Sequence, residues 1–412
     1  MLSTYVVDGK ARDRLWRSAA GPYLDDFSEW LAGRGYRRAT IGTYLRAAAR
    51  LAAWAQMHQR PVPTGCDRAS LVAYRAHLQQ VTQPRRPTRW DQGNRYCGAR
   101  TFVRFLRARG HVADEPDATP VLLHRFQHWM RQHRGTGAVT LGGYGRVLRQ
   151  LLGALGEDSR GYTAAQLRAF VLQQAQGFSH SKAEMAVSAV RMFVRFLIAA
   201  QACPAGLQYA IPRMAGWGQA TLPRYLPSEA VAQVLAACDP STPLGARDRA
   251  VLLLLARLGL RAGDVAGLRL GDLDWARGRL RVAGKNRREA WLPLPQAVGE
   301  ALLHYLRTAR PAVAGDGVFL ITHAPYTPIL SRQVSATAER AIRRAGVPSP
   351  SLGAHVFRHS VATQWVRDGL SLQTIGTLLR HADVDTTAIY AKVDVPLLRQ
   401  IAVPWPAEVT PC

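Results

Sequence analysis

Lysine is scarce in this chain of 412 residues. Only four of its 54 basic residues are lysine, and the other 50 are arginine. Arginine keeps its charge at any ordinary pH, whereas lysine can release a proton. One of the four, Lys285, falls in the short segment AGKNRRE. A lysine in a loop is expected by chance, so a chemical role for Lys285 requires support from other residues.

Acidic residues are also few. The 28 Asp and Glu side chains leave a net charge of +26 and a pI near 11. This balance favours a polyanionic partner, nucleic acid first and an anionic membrane surface second. Because the basic residues are spread along the whole chain, we expect folded faces that lie along DNA or RNA and bind in a salt-dependent way.

Cysteine pairs, long apolar runs and phosphate loops are lacking. The five cysteines are scattered without a CxxC pair, which predicts reduced cytosolic thiols and neither a disulfide framework nor a zinc site. His124, His128 and His133 share a helical spacing but have no cysteine or convincing carboxylate partner, so no metal is predicted. Apolar runs such as residues 250–256 are too short for a bilayer. With no signal sequence, we expect a cytoplasmic, nucleoid-associated protein without membrane attachment.

The first half of the chain contains a repeat with helical periodicity. The pentapeptide FVRFL occurs at residues 102–106 and again at 193–197. The other matches, at offsets of 99 or 100, are Phe27 with Phe126, Trp30 with Trp129, Thr40 with Thr140, and Tyr44 with Tyr144. The pattern predicts a duplicated helical domain in which Thr40 and Thr140 are helix N-caps.

The second half begins after a segment rich in Gly and Pro. There, RLRV and AWLPL alternate like two short strands on either side of AGKNRRE, which predicts a β-hairpin with Lys285 in its turn. The remainder is mainly helical, so the expected fold is mainly α with a small β element. The predicted divisions are a helical DNA-binding domain at 1–116, a second helical domain at 117–205, a linker at 206–226, and a catalytic domain with C-terminal tail at 227–412.

Four stretches supply polar residues in a distinctive order. They are LGLRAGD, AGKNRRE, HVFRHS and LLRHADVDTTAIY, and they contain Arg261, Lys285, His355 with Arg358, and His381 with Tyr390. This order resembles the tyrosine recombinase (phage-type integrase) family. That family has an Arg, a Lys on a β-hairpin, His-x-x-Arg, a His or Trp, and a Tyr nine residues later. The resemblance is strong over about residues 220–395. It extends weakly over 120–200, which looks like the family's helical core-binding domain.

These residue types suit the cleavage of a DNA phosphodiester without a metal or other cofactor. Guanidinium groups match phosphate oxygens in a bidentate manner, so Arg261 and Arg358 are candidates for holding the phosphate. Tyr390 is a candidate nucleophile, because a covalent phosphotyrosine stores the bond energy for rejoining. Lys285 can act as the acid for the leaving 5′ oxygen, which arginine could not readily do.

The resemblance implies further roles. His355 would assist proton transfer from the tyrosine, and His381 would donate to the scissile phosphate. Asp264 stands where the family often has Glu and would orient an arginine, whereas His359 is expected to be a structural hydrogen-bonding residue. Arg380 departs from the glycine that usually precedes the second histidine. Candidate DNA contacts outside this set are Arg38, Thr40, Thr140, Arg191, Arg287 and Arg288.

The resemblance implies a site-specific recombinase that cleaves and rejoins double-stranded DNA through a 3′-phosphotyrosine intermediate. It would act as a homotetramer on two DNA sites, with accessory proteins left open. The repeated N-terminal region favours the integration, excision or transposition of a mobile element. The alternatives are an Xer-type resolvase of dimers or cointegrates and a DNA-binding regulator of the same fold that does not cut. A type IB topoisomerase is disfavoured by the paired helical domains.

Overall fold

The computed structural model describes residues 2–80, 89–113, 119–176, 179–212, 222–283, 289–381 and 385–393, without the side chains of 89–92 and 385. In the first segment of the chain, the described residues form helices joined by loops, without a strand. Its helices are α1 (Leu2–Tyr5), α2 (Gly9–Trp16), α3 (Gly21–Ala32), α4 (Arg38–Met57), α5 (Arg68–Gln80) and α6 (Arg89–Ala108). A second helical segment follows, with α7 (Val121–Arg134), α8 (Ala138–Leu155), α9 (Ala164–Gln176) and α10 (His180–Ala199).

The two helical segments place their repeated residues in equivalent positions. In the first, Phe27 on α3 packs edge-on against Phe102 on α6, with ring centroids 5.2 Å apart. In the second, Phe126 on α7 packs edge-on against Phe193 on α10 at 5.5 Å. All four rings are fully buried, and edge-to-face pairs of this kind add to the energy of burial. The repeated aromatic residues are therefore the centres of two separate hydrophobic cores.

The expected N-cap role of the two repeated threonines is wrong. Helix α4 begins at Arg38 and α8 at Ala138, with Arg37 and Gly137 at the N-cap positions. Thr40 and Thr140 therefore lie in the first helical turn, two residues beyond the start. The residues before each threonine are compatible with a helix, so the backbone continues in the N-terminal direction past the polar side chain.

The chain divides into two compact units. One is Ala113–Gly218, and the other combines Met1–Val112 with Gln219–Cys412. The boundaries expected from the sequence stay predictions, and the one at 116–117 falls within residues 114–118, which lie outside the described residues.

The last segment is a helical domain with one small sheet, as predicted. Its strands are β1 (Leu273–Asp274), β2 (Arg279–Ala283) and β3 (Glu289–Pro293), which pair antiparallel in that order. The predicted hairpin is confirmed as the β2–β3 pair, in which Arg281 lies opposite Trp291. Residues 284–288, which include Lys285, Arg287 and Arg288, lie outside the described residues, so the expected place of Lys285 in a turn stays a prediction. Strand β1 was not predicted, because two residues carry no alternation that a sequence pattern could show.

Helix α12 is the central helix of this last segment. The helices of the segment are α11 (Ser228–Ala236), α12 (Pro243–Leu258), α13 (Ala262–Ala266), α14 (Gln296–Thr308), α15 (Ser331–Ala345), α16 (His355–Arg367), α17 (Leu372–Leu378) and α18 (Asp385–Ala388), with a 3₁₀ turn at Ile389–Val393. The run Leu252–Leu255 on α12 is buried on every side, which is the pattern of a central helix. Helix α12 thus supplies the middle of the core that supports α13 and α16.

Two negative findings concern the described residues alone. No helix among them is both long and apolar enough to cross a membrane. The described His, Cys, Asp and Glu side chains include no group of three that could hold a metal ion.

Candidate active site at the convergence of three helix ends

Arg358 is the most deeply buried cation of the candidate site. It lies one turn into α16, is 4% exposed, and donates hydrogen bonds to the carbonyls of Gly259 and Leu379. Gly259 ends α12 with φ +58°, and a Cβ there would come within 2.8 Å of the Leu379 side chain. Glycine is therefore required at this position for the two helix ends to meet around one guanidinium.

Arg261 lies next to Arg358 at the start of α13. Its Nη2 donates to the carbonyl of Arg380 over 3.2 Å, and its backbone N–H donates to Asp264 Oδ2 over 3.1 Å. Arg380 Nη2 in turn lies 2.6 Å from Asp264 Oδ2, in an ion pair with little exposure on either side. Asp264 therefore contacts the backbone of Arg261 and the guanidinium of Arg380, and the expectation that it orients an arginine stays a prediction.

Positive charge is in excess at this point. Burial and the neighbouring Arg261 guanidinium lower the pKa of Arg358 to about 10. Arg380 acts in the same direction and Asp264 against it. Three guanidinium groups and a single described carboxylate thus lie close together, an arrangement that an anion such as a phosphate would stabilise.

The pKa values of both predicted histidines, His355 and His381, are lowered. Burial, then the charges of Arg358 and Arg261, lower the pKa of His381 to about 4. The same influences lower the pKa of His355, which is the first residue of α16. His381 Nδ1 lies 2.7 Å from the hydroxyl of the buried Thr387. Since a neutral ring has one donor and one acceptor nitrogen, a Thr387 hydroxyl that donates to Nδ1 leaves the Nε2–H free to donate.

Tyr390 lies in the 3₁₀ turn after α18 and is 2% exposed. Its hydroxyl is 3.0 Å from Nδ1 of His359. Burial raises the pKa of Tyr390 to about 12, and Arg358 partly opposes this. The pKa of His359 is lowered by burial, His355 and Arg358, so its ring is neutral near pH 7 and can accept a hydrogen bond from the phenol.

The structure brings together five of the predicted catalytic residues. They are Arg261, His355, Arg358, His381 and Tyr390. The sixth, Lys285, is outside the described residues. Sequence reasoning did not give His359 and Thr387 a place beside reacting groups. His359 could have been found from its spacing, since it lies one helical turn after His355, whereas nothing in the sequence pattern marks Thr387.

Four of the candidate DNA contacts lie on the helices α4, α8 and α10. Arg38 and Thr140 are exposed in the first turns of α4 and α8, and Thr40 is half-buried. Arg191 on α10 donates to the carbonyls of Ile211 and Pro212 at 3.3 and 3.1 Å. That contact holds the chain that follows α10. A DNA contact by any of these four residues stays a prediction, as it does for Arg287 and Arg288.

Comparison with known proteins agrees with this fold. Residues 224–395 match the phage integrase family. The chain is 34% identical over 409 residues to the integrase/recombinase y4rA of Sinorhizobium fredii, covering 96% of this chain and 97% of that protein. It is 30% identical over 265 residues to tyrosine recombinase XerC of Chlamydia muridarum, covering 60% of this chain and 81% of XerC.

A solved structure shares the fold. It is a lambda integrase tetramer bound to a Holliday junction, with a TM-score of 0.51 and 17% identity, covering 74% of this chain and 87% of that one. The family match over residues 224–395 and the similarity to y4rA along 96% of the chain show that the chain belongs to the phage integrase family. It is a tyrosine recombinase, an enzyme of site-specific DNA recombination.

The low pKa of His381 predicts how stability depends on pH. The folded state resists protonation of His381 down to about pH 4, whereas the unfolded chain accepts the proton near pH 6.5. The contribution of His381 to the free energy of unfolding is therefore complete above about pH 6.5 and decreases as the pH falls towards 4. We expect His381→Asn, which can keep a hydrogen bond to Thr387, to lose less stability than the wild type between pH 7 and 5. The measurement is the urea midpoint at both pH values.

A matched control is His304→Asn, which changes an exposed histidine on α14. It should lose as much stability over this range as the wild type. An equal loss in His381→Asn would show that His381 is protonated as readily in the folded state as in the unfolded chain.

Proposed function

We propose that this chain cuts and rejoins double-stranded DNA through a 3′-phosphotyrosine formed by Tyr390. The observation that carries the proposal is the placement of the Tyr390 hydroxyl, 3.0 Å from a histidine one residue after the buried Arg358. A nucleophile and its base are expected within this distance of each other. The arginine pair beside them supplies the charge that a phosphodiester under attack requires.

In this mechanism Arg261 and Arg358 hold the scissile phosphate. Their guanidinium groups are fixed before DNA arrives, Arg358 by two carbonyls and Arg261 by one. Fixed donors stabilise the charge that develops on the phosphate without reorganising during the reaction. Removing one such donor costs on the order of 3 kcal/mol of barrier.

In this mechanism two neutral histidines and a charged lysine handle the protons. His359 Nδ1 accepts the proton of the Tyr390 hydroxyl, with His355 one turn away on the same helix and their ring centroids 6.2 Å apart. The Nε2–H of His381 donates to a phosphate oxygen. Lys285, which falls between β2 and β3 in the sequence, gives its proton to the departing 5′ oxygen, which leaves as a hydroxyl. Tyrosine and DNA thus exchange one phosphoester bond for another, and the reverse step rejoins a strand.

The biological role we propose is integration, excision or transposition of a mobile element. The y4rA protein matches 96% of this chain, including the repeated helical region, whereas XerC matches 60%. We propose a homotetramer on two DNA sites, as in the lambda integrase tetramer on a Holliday junction, and action at the nucleoid. An Xer-type resolvase is the second candidate, supported by the XerC similarity. The net charge of +26 suits DNA contacts in either role.

The nucleophile is tested with a nicked suicide substrate made from the DNA that flanks the gene. We expect the wild type to form a covalent complex that survives denaturing electrophoresis, and Tyr390→Phe to form none, because it lacks the attacking oxygen. A control, Tyr209→Phe, changes an exposed tyrosine and should react like the wild type. A covalent complex in Tyr390→Phe would contradict the assignment.

The base is tested by His359→Phe in the same assay. Loss of the proton acceptor should slow formation of the complex about 100-fold, the lower end of the effect of a general base. His304→Phe, at an exposed position on α14, should leave the rate unchanged. An unaltered rate in His359→Phe would assign the contact with Tyr390 to packing alone.

Lys285 is tested with DNA whose 5′ bridging oxygen is replaced by sulfur. The thiolate leaves without an acid, so Lys285→Ala should react slowly on ordinary DNA and at nearly the wild-type rate on the sulfur substrate. His359→Phe should stay slow on both, since it acts on the nucleophile. If the sulfur substrate does not restore cleavage by Lys285→Ala, Lys285 is not the acid.

A further inference from the structure

Arg380 has a backbone conformation that arginine rarely adopts. It lies between the end of α17 and His381, and its φ is +54°. In this left-handed region the Cβ of an ordinary residue approaches a carbonyl oxygen, whereas glycine enters it freely. An arginine is therefore strained at a position that suits glycine, and the contacts of the residue have to offset that strain.

Those contacts form a closed ring around the start of α13. The Arg380 guanidinium binds Asp264 at 2.6 Å, and Asp264 accepts the backbone N–H of Arg261 at 3.1 Å. The Arg261 guanidinium then returns to the Arg380 carbonyl at 3.2 Å. Arg380 thus holds Arg261 twice, once through its own carbonyl and once through Asp264.

Asp264 is the main anchor of the Arg380 side chain. The ion pair is nearly enclosed, with 12% of Arg380 and 7% of Asp264 exposed. The Nε and Nη1 groups of Arg380 are buried and have no hydrogen-bond partner among the residues that the structure describes. A buried guanidinium held mainly by one carboxylate has little freedom to move, and removing either partner leaves a buried charge unpaired.

We infer that Arg380 is a positioning residue for Arg261, which it holds in the orientation that meets the scissile phosphate. The inference rests on the proposed cleavage function, in which Arg261 binds that phosphate. A displacement of about 1 Å at a reacting group can slow a reaction roughly 100-fold. The alternative is that Arg380 only ties α17 to α13 and stabilises the fold.

The two roles respond differently to the charge of the substrate. A methylphosphonate at the scissile position lacks the anionic oxygen, so a correctly placed Arg261 contributes much less to its reaction. A positioning role for Arg380 should therefore matter on a phosphate and hardly at all on a methylphosphonate. A purely structural role would slow both substrates equally.

The test compares Arg380→Gly with the wild type on nicked suicide DNA that carries either group. Glycine is the suitable replacement because it accepts a φ of +54° without strain. We expect covalent complex formation to slow by about 10- to 100-fold on the phosphate and by less than about threefold on the methylphosphonate. DNA affinity, measured in a Tyr390→Phe background, should change little. The control Arg269→Gln removes an exposed ion pair with Asp316 and should alter neither rate.

A second variant guards against misfolding caused by the unpaired Asp264 carboxylate. The double variant Arg380→Gly with Asp264→Asn removes both charges and should show the same preference for the neutral substrate. A wild-type rate in Arg380→Gly, or equal slowing on both substrates in the single and double variants, would overturn the inference while leaving the cleavage function intact. A wild type that forms no complex on phosphate DNA would instead overturn the proposed function, and the inference with it.

Discussion

The structure of the candidate site depends on the burial of one guanidinium, that of Arg358. A buried cation is stable only if its donors are satisfied, and here the acceptors are carbonyls at the ends of α12 and α17. A helix C-terminus carries partial negative charge and unpaired carbonyls. Two helix ends therefore converge on Arg358 and compensate its charge without neutralising it. The same convergence brings Arg261 and His381 close to Arg358.

Helix ends of this kind explain why the site holds several cations with a single described carboxylate. Carbonyl groups satisfy arginine donors but do not form the strong, closed ion pairs that aspartates would. The positive potential is consequently kept for a ligand. Asp264 is the exception, and it faces Arg380 and a backbone N–H rather than the guanidinium of Arg358.

The sequence predicted the class of fold, and five of the residues that it named as candidates lie together in the structure. Phe27 and Phe126 occur in a helical period of apolar residues, and a core must bury them in either copy. The arginines, histidines and tyrosine of the site were found because their order along the chain is distinctive. The prediction that Thr40 and Thr140 are helix N-caps was wrong, because a polar side chain in the first turn gives almost the same local sequence pattern as one at the N-cap.

The contacts that the sequence did not predict join residues that are far apart in the chain, or residues whose type does not suggest a functional role. His359 meets Tyr390 across 31 residues, and Arg380 meets Asp264 across 116. Each contact depends on how α16, α17 and α13 pack, which no local pattern contains. The sequence shows that His359 is polar and adjacent to Arg358, but only the fold shows that it faces the Tyr390 hydroxyl.

The low pKa values of the histidines and the excess of arginine are two aspects of one electrostatic arrangement. Burial, and after it the charge of Arg358, lowers the pKa of His355, His359 and His381, so neutral rings lie beside fixed cations. A bound phosphate brings negative charge to the same point and acts in the opposite direction on each ring. In the proposed mechanism the neutral His359 accepts the Tyr390 proton, and a bound phosphate makes it a better acceptor. Proton acceptance is thereby linked to the presence of DNA, because the phosphate offsets the contribution of Arg358 to a pKa shift whose largest cause is burial.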